Sequence, residues 1–201
     1  MLYRLVDLFS GAIVPLIAVL IIFSFCRKKN WKQKVLIVLF TLYLAEVFDL
    51  VGIADLQYAK WHPIVNFVPF QAALSFGAIA NVIMFIPFGV LLPLTWKSFR
   101  KFSFTAIAGA LTSLLIEVDQ LFSFRTTDID DFLTNTLGAV LGYLLIACIC
   151  KKKWKAADAD AIVDTKWDIL ELGIVVVLLL LSATFIKFGL GALIYQLPMF
   201  D

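Results

Sequence analysis

Six long apolar runs leave this chain little choice but to fold as membrane-crossing helices. They cover residues 11–25, 35–51, 72–94, 102–122, 132–150 and 169–188. A helix needs about 20 mostly apolar residues to cross the hydrocarbon of a bilayer. In lipid each backbone N–H and C=O must bond within the protein, which favours helices over open strands. Composition agrees: 62% of residues are hydrophobic and only 16% charged, against about a quarter charged in soluble domains. The fold expected is all-α, a polytopic transmembrane bundle of about six spans forming a single domain over residues 1–201.

Charge sets the expected orientation. Arg27 to Lys34, Lys97 to Lys101 and Lys151 to Lys166 hold 13 of the 17 basic residues. These are the three connections that six spans place on one side. Basic residues mark cytoplasmic loops, so the N-terminus is expected outside. The first run lacks the basic flank and small-residue cleavage site of a signal peptide, and is read as an uncleaved helix. The connection 52–71 contains Pro63 and Pro69, which oppose a regular helix. It is expected to lie along the outer surface, with Tyr58 and Trp61 at the interface. Pro87 is expected to kink the third run. Cys26, Cys148 and Cys150 lie where apolar runs meet basic connections, in no metal-ligand spacing. His62 reads as an interfacial loop residue, and the basic connections need no nucleic acid to explain them.

The polar residues concentrate between Glu117 and Gly142, at the outer end of the fourth and fifth runs. Glu117, Asp119, Asp128, Asp130 and Asp131 accompany a single Arg125 there. Ionisable groups near lipid are costly and commonly functional. On a helical wheel Asp128, Asp131, Asn135, Gly138 and Gly142 share one face. Ser113, Glu117 and Gln120 share another, on the preceding run. A short connection makes these two helices antiparallel neighbours, so the two stripes are expected to face each other. The glycines would let another helix approach closely. Arg125 can pair with a carboxylate or grip an anionic ligand. Carboxylates left over would favour a bound cation, and hard ions prefer oxygen ligands. Thr127 and Asp130 fit a capping box, so Asp130 is expected to serve the helix start.

Three blocks in order then resemble the VanZ family of bacterial membrane proteins. They are Asn66-Phe67-Val68-Pro69-Phe70, the stretch from Asn81 to Gly89, and Glu117 to Gly142 with its E-x-x-Q, D-I-D-D and N-T-L-G-x-x-x-G. The strongest match covers residues 66–143. The resemblance implies a multi-pass protein of the bacterial cell membrane, with a role in resistance to glycopeptide antibiotics, teicoplanin above all. It carries over Asn66, Asn81, Glu117, Gln120, Arg125, Asp128, Asp131 and Asn135 as the family's polar positions.

Three functions remain open from sequence. The first is an outward-facing polar pocket that binds or processes a lipid-linked, glycopeptide or other envelope molecule. The second is an intramembrane enzyme with Glu117 or Asp131 as acid or base. No H-E-x-x-H, G-x-S-x-G or P-loop accompanies them. The third is a non-catalytic helper that packs against another membrane protein through Gly138 and Gly142. No cofactor and no resident metal are assigned.

Overall fold

The computed structural model describes residues 29–52, 61, 63–71, 75–122, 125–158 and 164–181. The first apolar run, the N-terminal orientation, Cys26, Tyr58, His62 and the tail after Leu181 lie outside the described residues. Among the described residues five α-helices form: α1 (Trp31–Val51), α2 (Phe76–Thr95), α3 (Phe102–Gln120), α4 (Ile129–Asp158) and α5 (Thr165–Leu181). A 3-10 turn, Lys97–Arg100, joins α2 to α3. Two short strands, β1 (Val65–Asn66) and β2 (Thr127–Asp128), pair in parallel.

The boundaries follow from local chemistry. Asn30 caps α1 by accepting the Gln33 N–H at 2.9 Å, the expected work of a short polar side chain at that position. Gly52 ends α1 in the left-handed region, φ 66°, where glycine carries no steric cost. Ser75 caps α2 by accepting from the Ala78 N–H. That helix runs continuously through Pro87 and Pro93. The basic stretch Lys151–Lys155, expected as a loop, instead forms the last turns of α4. Lysine is a good helix former, and its charge suits a helix C-terminus.

The closest packing is between α2 and α4, and glycine makes it possible. A Cβ on Gly138 would overlap the Val82 carbonyl oxygen, and one on Gly142 the Ile86 carbonyl oxygen. A Cβ on Gly89 would overlap the carbonyl of Ala139. The expected close approach therefore exists, with α2 as the partner. Beside this contact lies an aromatic core. Phe40 sits 5.6 Å from Phe88 and 5.3 Å from Trp96, the latter edge-on, as ring quadrupoles prefer. Partly buried hydroxyls find backbone acceptors: Tyr43 donates to the Met84 carbonyl and Tyr143 to the Arg100 carbonyl, both at 2.7 Å.

Alternating helix direction sorts the charges by end. The start of α1, the α2–α3 turn, the last turns of α4 and the start of α5 gather at one end. There Lys29 pairs with Glu171 at 2.5 Å, Trp96 Nε1 donates to Glu171, and Asp168 accepts from the Ser98 N–H and hydroxyl. The opposite end holds the residues between Glu117 and Asn135.

Among the described residues α2, α3 and α4 are long and apolar enough to cross a membrane. Helix α1 carries Lys32, Lys34, Glu46 and Asp49, and α5 has 17 described residues, so neither meets the same length and charge requirement. Leu111, Leu114, Leu145 and Ile149 are exposed on these helices, as residues facing hydrocarbon would be.

The glycine contact gives a direct test. Gly142→Ala should lower stability by about 1–3 kcal/mol, because the obstructing atoms are backbone and cannot rotate away. Gly173, with nothing within 4 Å of an added Cβ, should accept alanine without loss. Thermal unfolding of both purified variants in detergent would compare them.

Candidate functional site

Helix α3 contributes one wall of the polar end, and its stripe points inward. Ser113 and Glu117 are one turn apart and both buried, as is Gln120. The facing residue on α4 is Asn135, whose Nδ2 donates to Ser113 Oγ at 3.1 Å. The two stripes read from sequence therefore do meet. One turn before Asn135, Asp131 reaches toward α2 instead, and its Oδ1 accepts from Asn81 Nδ2 at 2.7 Å.

The start of α4 is built differently from the expectation. Asp128 lies in β2, just ahead of the helix, and its Oδ1 accepts the Asp130 N–H at 2.9 Å. Asp128 is thus the capping residue. The Thr127 hydroxyl donates to the Glu117 carbonyl and does not complete a capping box. Asp130 is not the cap: it is buried, and its Oδ1 accepts the Phe70 N–H at 2.6 Å. The reason is the segment 63–71, which crosses this end and brings backbone donors that a local helix rule ignores. Val65 pairs with Thr127 and Asn66 with Asp128. The Thr127 N–H donates to the Ile64 carbonyl, and Asn66 Nδ2 donates to Asp128 Oδ2 at 3.1 Å. Segment 63–71 is non-helical, as its prolines require, and acts as a strap.

Arg125 bridges elements. Its Nη1 donates to the Val51 carbonyl at the C-terminus of α1, where helix carbonyls lack internal partners and the dipole favours a cation. Its charge also lies close enough to Asp131 for the two to interact.

These groups border a cavity of about 730 Å³. Asn81, Glu117, Gln120, Arg125, Asp131 and Asn135 line its polar part. Asn66 and Asp128 do not; they bond to each other beside it, holding the strap. Apart from Thr126 the rest of the lining is apolar, including Leu50, Phe76, Ile79 and Ile83. All four of these side chains are largely exposed on the bundle surface, so the cavity opens along an exposed apolar wall. Sequence reasoning missed that wall. Its only signal was that Phe76, Ile79 and Ile83 recur at helical spacing on the same stretch as Asn81.

In this lining Glu117 Oε1 and Asn135 Oδ1 are buried without a hydrogen-bond partner among the described residues. The other carboxylate oxygen of Glu117 accepts the Asp128 N–H at 2.9 Å. No group of three His, Cys, Asp or Glu side chains able to hold a metal ion occurs among the described residues.

Comparison with known proteins points the same way as the residues. Residues 50–151 match the family model described as VanZ/LLP1. A protein of Enterococcus faecium named Protein VanZ is 42% identical over 86 residues, which cover 40% of this chain and 51% of that protein. The match thus spans about half the length of the curated relative. No solved structure gives a significant match.

The two anchoring roles can be separated. Asp128→Ala removes both the helix cap and the strap bond and should cost about 0.5–2 kcal/mol. Asn66→Ala should loosen only the strap. Hydrogen exchange should rise over 63–71 in both variants, and at the start of α4 in Asp128→Ala alone.

Proposed function

Because the chain belongs to the VanZ/LLP1 family, we propose that it is a multi-pass protein of the bacterial cell membrane that binds an envelope amphiphile. The ligand lies at the outer face, with its polar group among Glu117, Arg125, Asp131 and Asn135 and its chain along Phe76, Ile79 and Ile83. One observation carries this reading: a single cavity joins a buried polar end to an exposed apolar wall. A purely polar solute would leave that wall empty, and a purely apolar one would strand the polar end.

Six spans with the N-terminus outside remain our topology. It is supported by the collection of basic residues at the end opposite the cavity, which by the positive-inside rule favours an outer-leaflet cavity. A role in glycopeptide resistance follows from the same placement. Teicoplanin carries a fatty acyl chain and vancomycin does not, so a protein with an outer amphiphile site would discriminate between them.

A second reading, an enzyme acting on a lipid or cell-wall precursor, is favoured by Glu117 and Asp131 lining the same cavity. The helper reading loses its sequence support, since α2 already occupies the Gly138 and Gly142 face.

Two measurements test these proposals. A membrane-impermeant maleimide should label Thr126→Cys in intact cells, and Lys152→Cys only after permeabilisation, in a background without native cysteines; the reverse pattern would invert the topology. Expressed in a sensitive Gram-positive host, the wild-type protein should raise tolerance to teicoplanin more than to vancomycin. Arg125→Ala and Asp131→Asn at equal membrane levels should lose that protection. Retained protection in both variants would detach the phenotype from the cavity.

A further inference from the structure

The buried atoms of the cavity say what kind of headgroup fits it. Glu117 Oε1 and Asn135 Oδ1, buried in the lining without a partner among the described residues, are acceptors. Glu117 is 4% exposed and Asn135 is 2% exposed, so bulk water does not satisfy them in the way it satisfies surface groups. A buried acceptor without a donor is costly, and a ligand that brings donors removes that cost on binding.

The charges agree. Among the described lining residues, Glu117 and Asp131 are acidic and Arg125 alone is basic. Arg125 is also engaged with the Val51 carbonyl, which orients its guanidinium toward the end of α1. An anionic headgroup would meet the two carboxylates. A metal ion would need several oxygen ligands, and no group of three His, Cys, Asp or Glu side chains able to hold one occurs among the described residues. An ammonium carries one positive charge and three donors on one compact atom. It would satisfy Glu117 and Asn135 together, because Ser113 holds Asn135 one helical turn from Glu117.

We propose that the cavity selects amphiphiles bearing a primary ammonium, bound by Glu117 Oε1 and Asn135 Oδ1. This rests on the reading of the cavity as an amphiphile site and names the headgroup that site takes. Phosphate, where the amphiphile has one, lies toward Arg125 at the rim and is not the group selected. The ammonium belongs either to a glycerolipid headgroup or to another long-chain amine of the envelope.

Native mass spectrometry of the full chain in detergent would test this. The probes are phosphatidylethanolamine, its N-acetyl derivative, phosphatidylglycerol and dodecylamine. Phosphatidylethanolamine should bind about tenfold or more tightly than its N-acetyl derivative or phosphatidylglycerol, as a charged hydrogen bond supplies. Glu117→Gln keeps an acceptor for the Asp128 N–H, and should abolish the preference while retaining the fold. Dodecylamine binding alongside phosphatidylethanolamine would make any long-chain amine a ligand. Binding of phosphatidylethanolamine without dodecylamine would restrict the site to glycerolipids. Equal binding of the N-acetyl lipid, or a preference unchanged in folded Glu117→Gln, would overturn the ammonium assignment and leave amphiphile binding standing. No saturable binding of any probe would overturn both.

Discussion

The backbone contact between α2 and α4 is the constraint on which the remaining structure depends. Hydrocarbon offers no hydrophobic drive for helices to associate, so they must be held by close packing and polar bonds. Gly89, Gly138 and Gly142 allow carbonyl oxygens of one helix to approach the Cα atoms of the other. This fixes the rotation of both helices about their axes. With Gly138 turned to α2, Asn135 must face Ser113 of α3, and Asp131 must reach Asn81. The polar residues are therefore positioned by small residues deeper in the bundle.

The same geometry explains why the polar end closes with a strap and not with a tight turn alone. The end of α3 and the start of α4 leave backbone groups without helical partners. Segment 63–71 bonds to the connection between the two helices. The Ile64 carbonyl accepts the Thr127 N–H, and the Phe70 N–H donates to Asp130. Asp128 then has two duties, capping α4 and holding Asn66. Its carboxylate is consumed by structure, which is why it stands beside the cavity and not in it.

Much of this was legible from residues alone, and the limits have physical causes. Apolar run length located α2, α3 and α4, because lipid penalises unsatisfied backbone over the whole span. The spacing of Asp131, Asn135, Gly138 and Gly142 revealed one face, because helical periodicity is local. What periodicity could not reveal was the partner of each face: the glycines meet α2, which precedes them by some fifty residues. Nor could it foresee that Asp128 would leave the helical wheel, since that follows from pairing with Asn66. Arg125 was visible as the lone cation among carboxylates. Its bond to the Val51 carbonyl was not, because a backbone acceptor has no signature in sequence.

Arg125 and Glu117 together indicate how the proposed site would acquire specificity. An arginine at a helix C-terminus is stabilised by the carbonyls it meets, so its charge is partly answered before any ligand arrives. Glu117 has the opposite character: one oxygen is held by the Asp128 N–H, which orients the carboxylate, and the other is buried without a partner among the described residues. Orientation by one bond lowers the ordering cost of making the next. Burial raises the penalty for a ligand that cannot donate, and a site built to bond a donor rejects analogues lacking it far better than it rejects a change in apolar size. On the proposed reading the apolar wall accepts chains of varied length, while the choice among headgroups falls to Glu117.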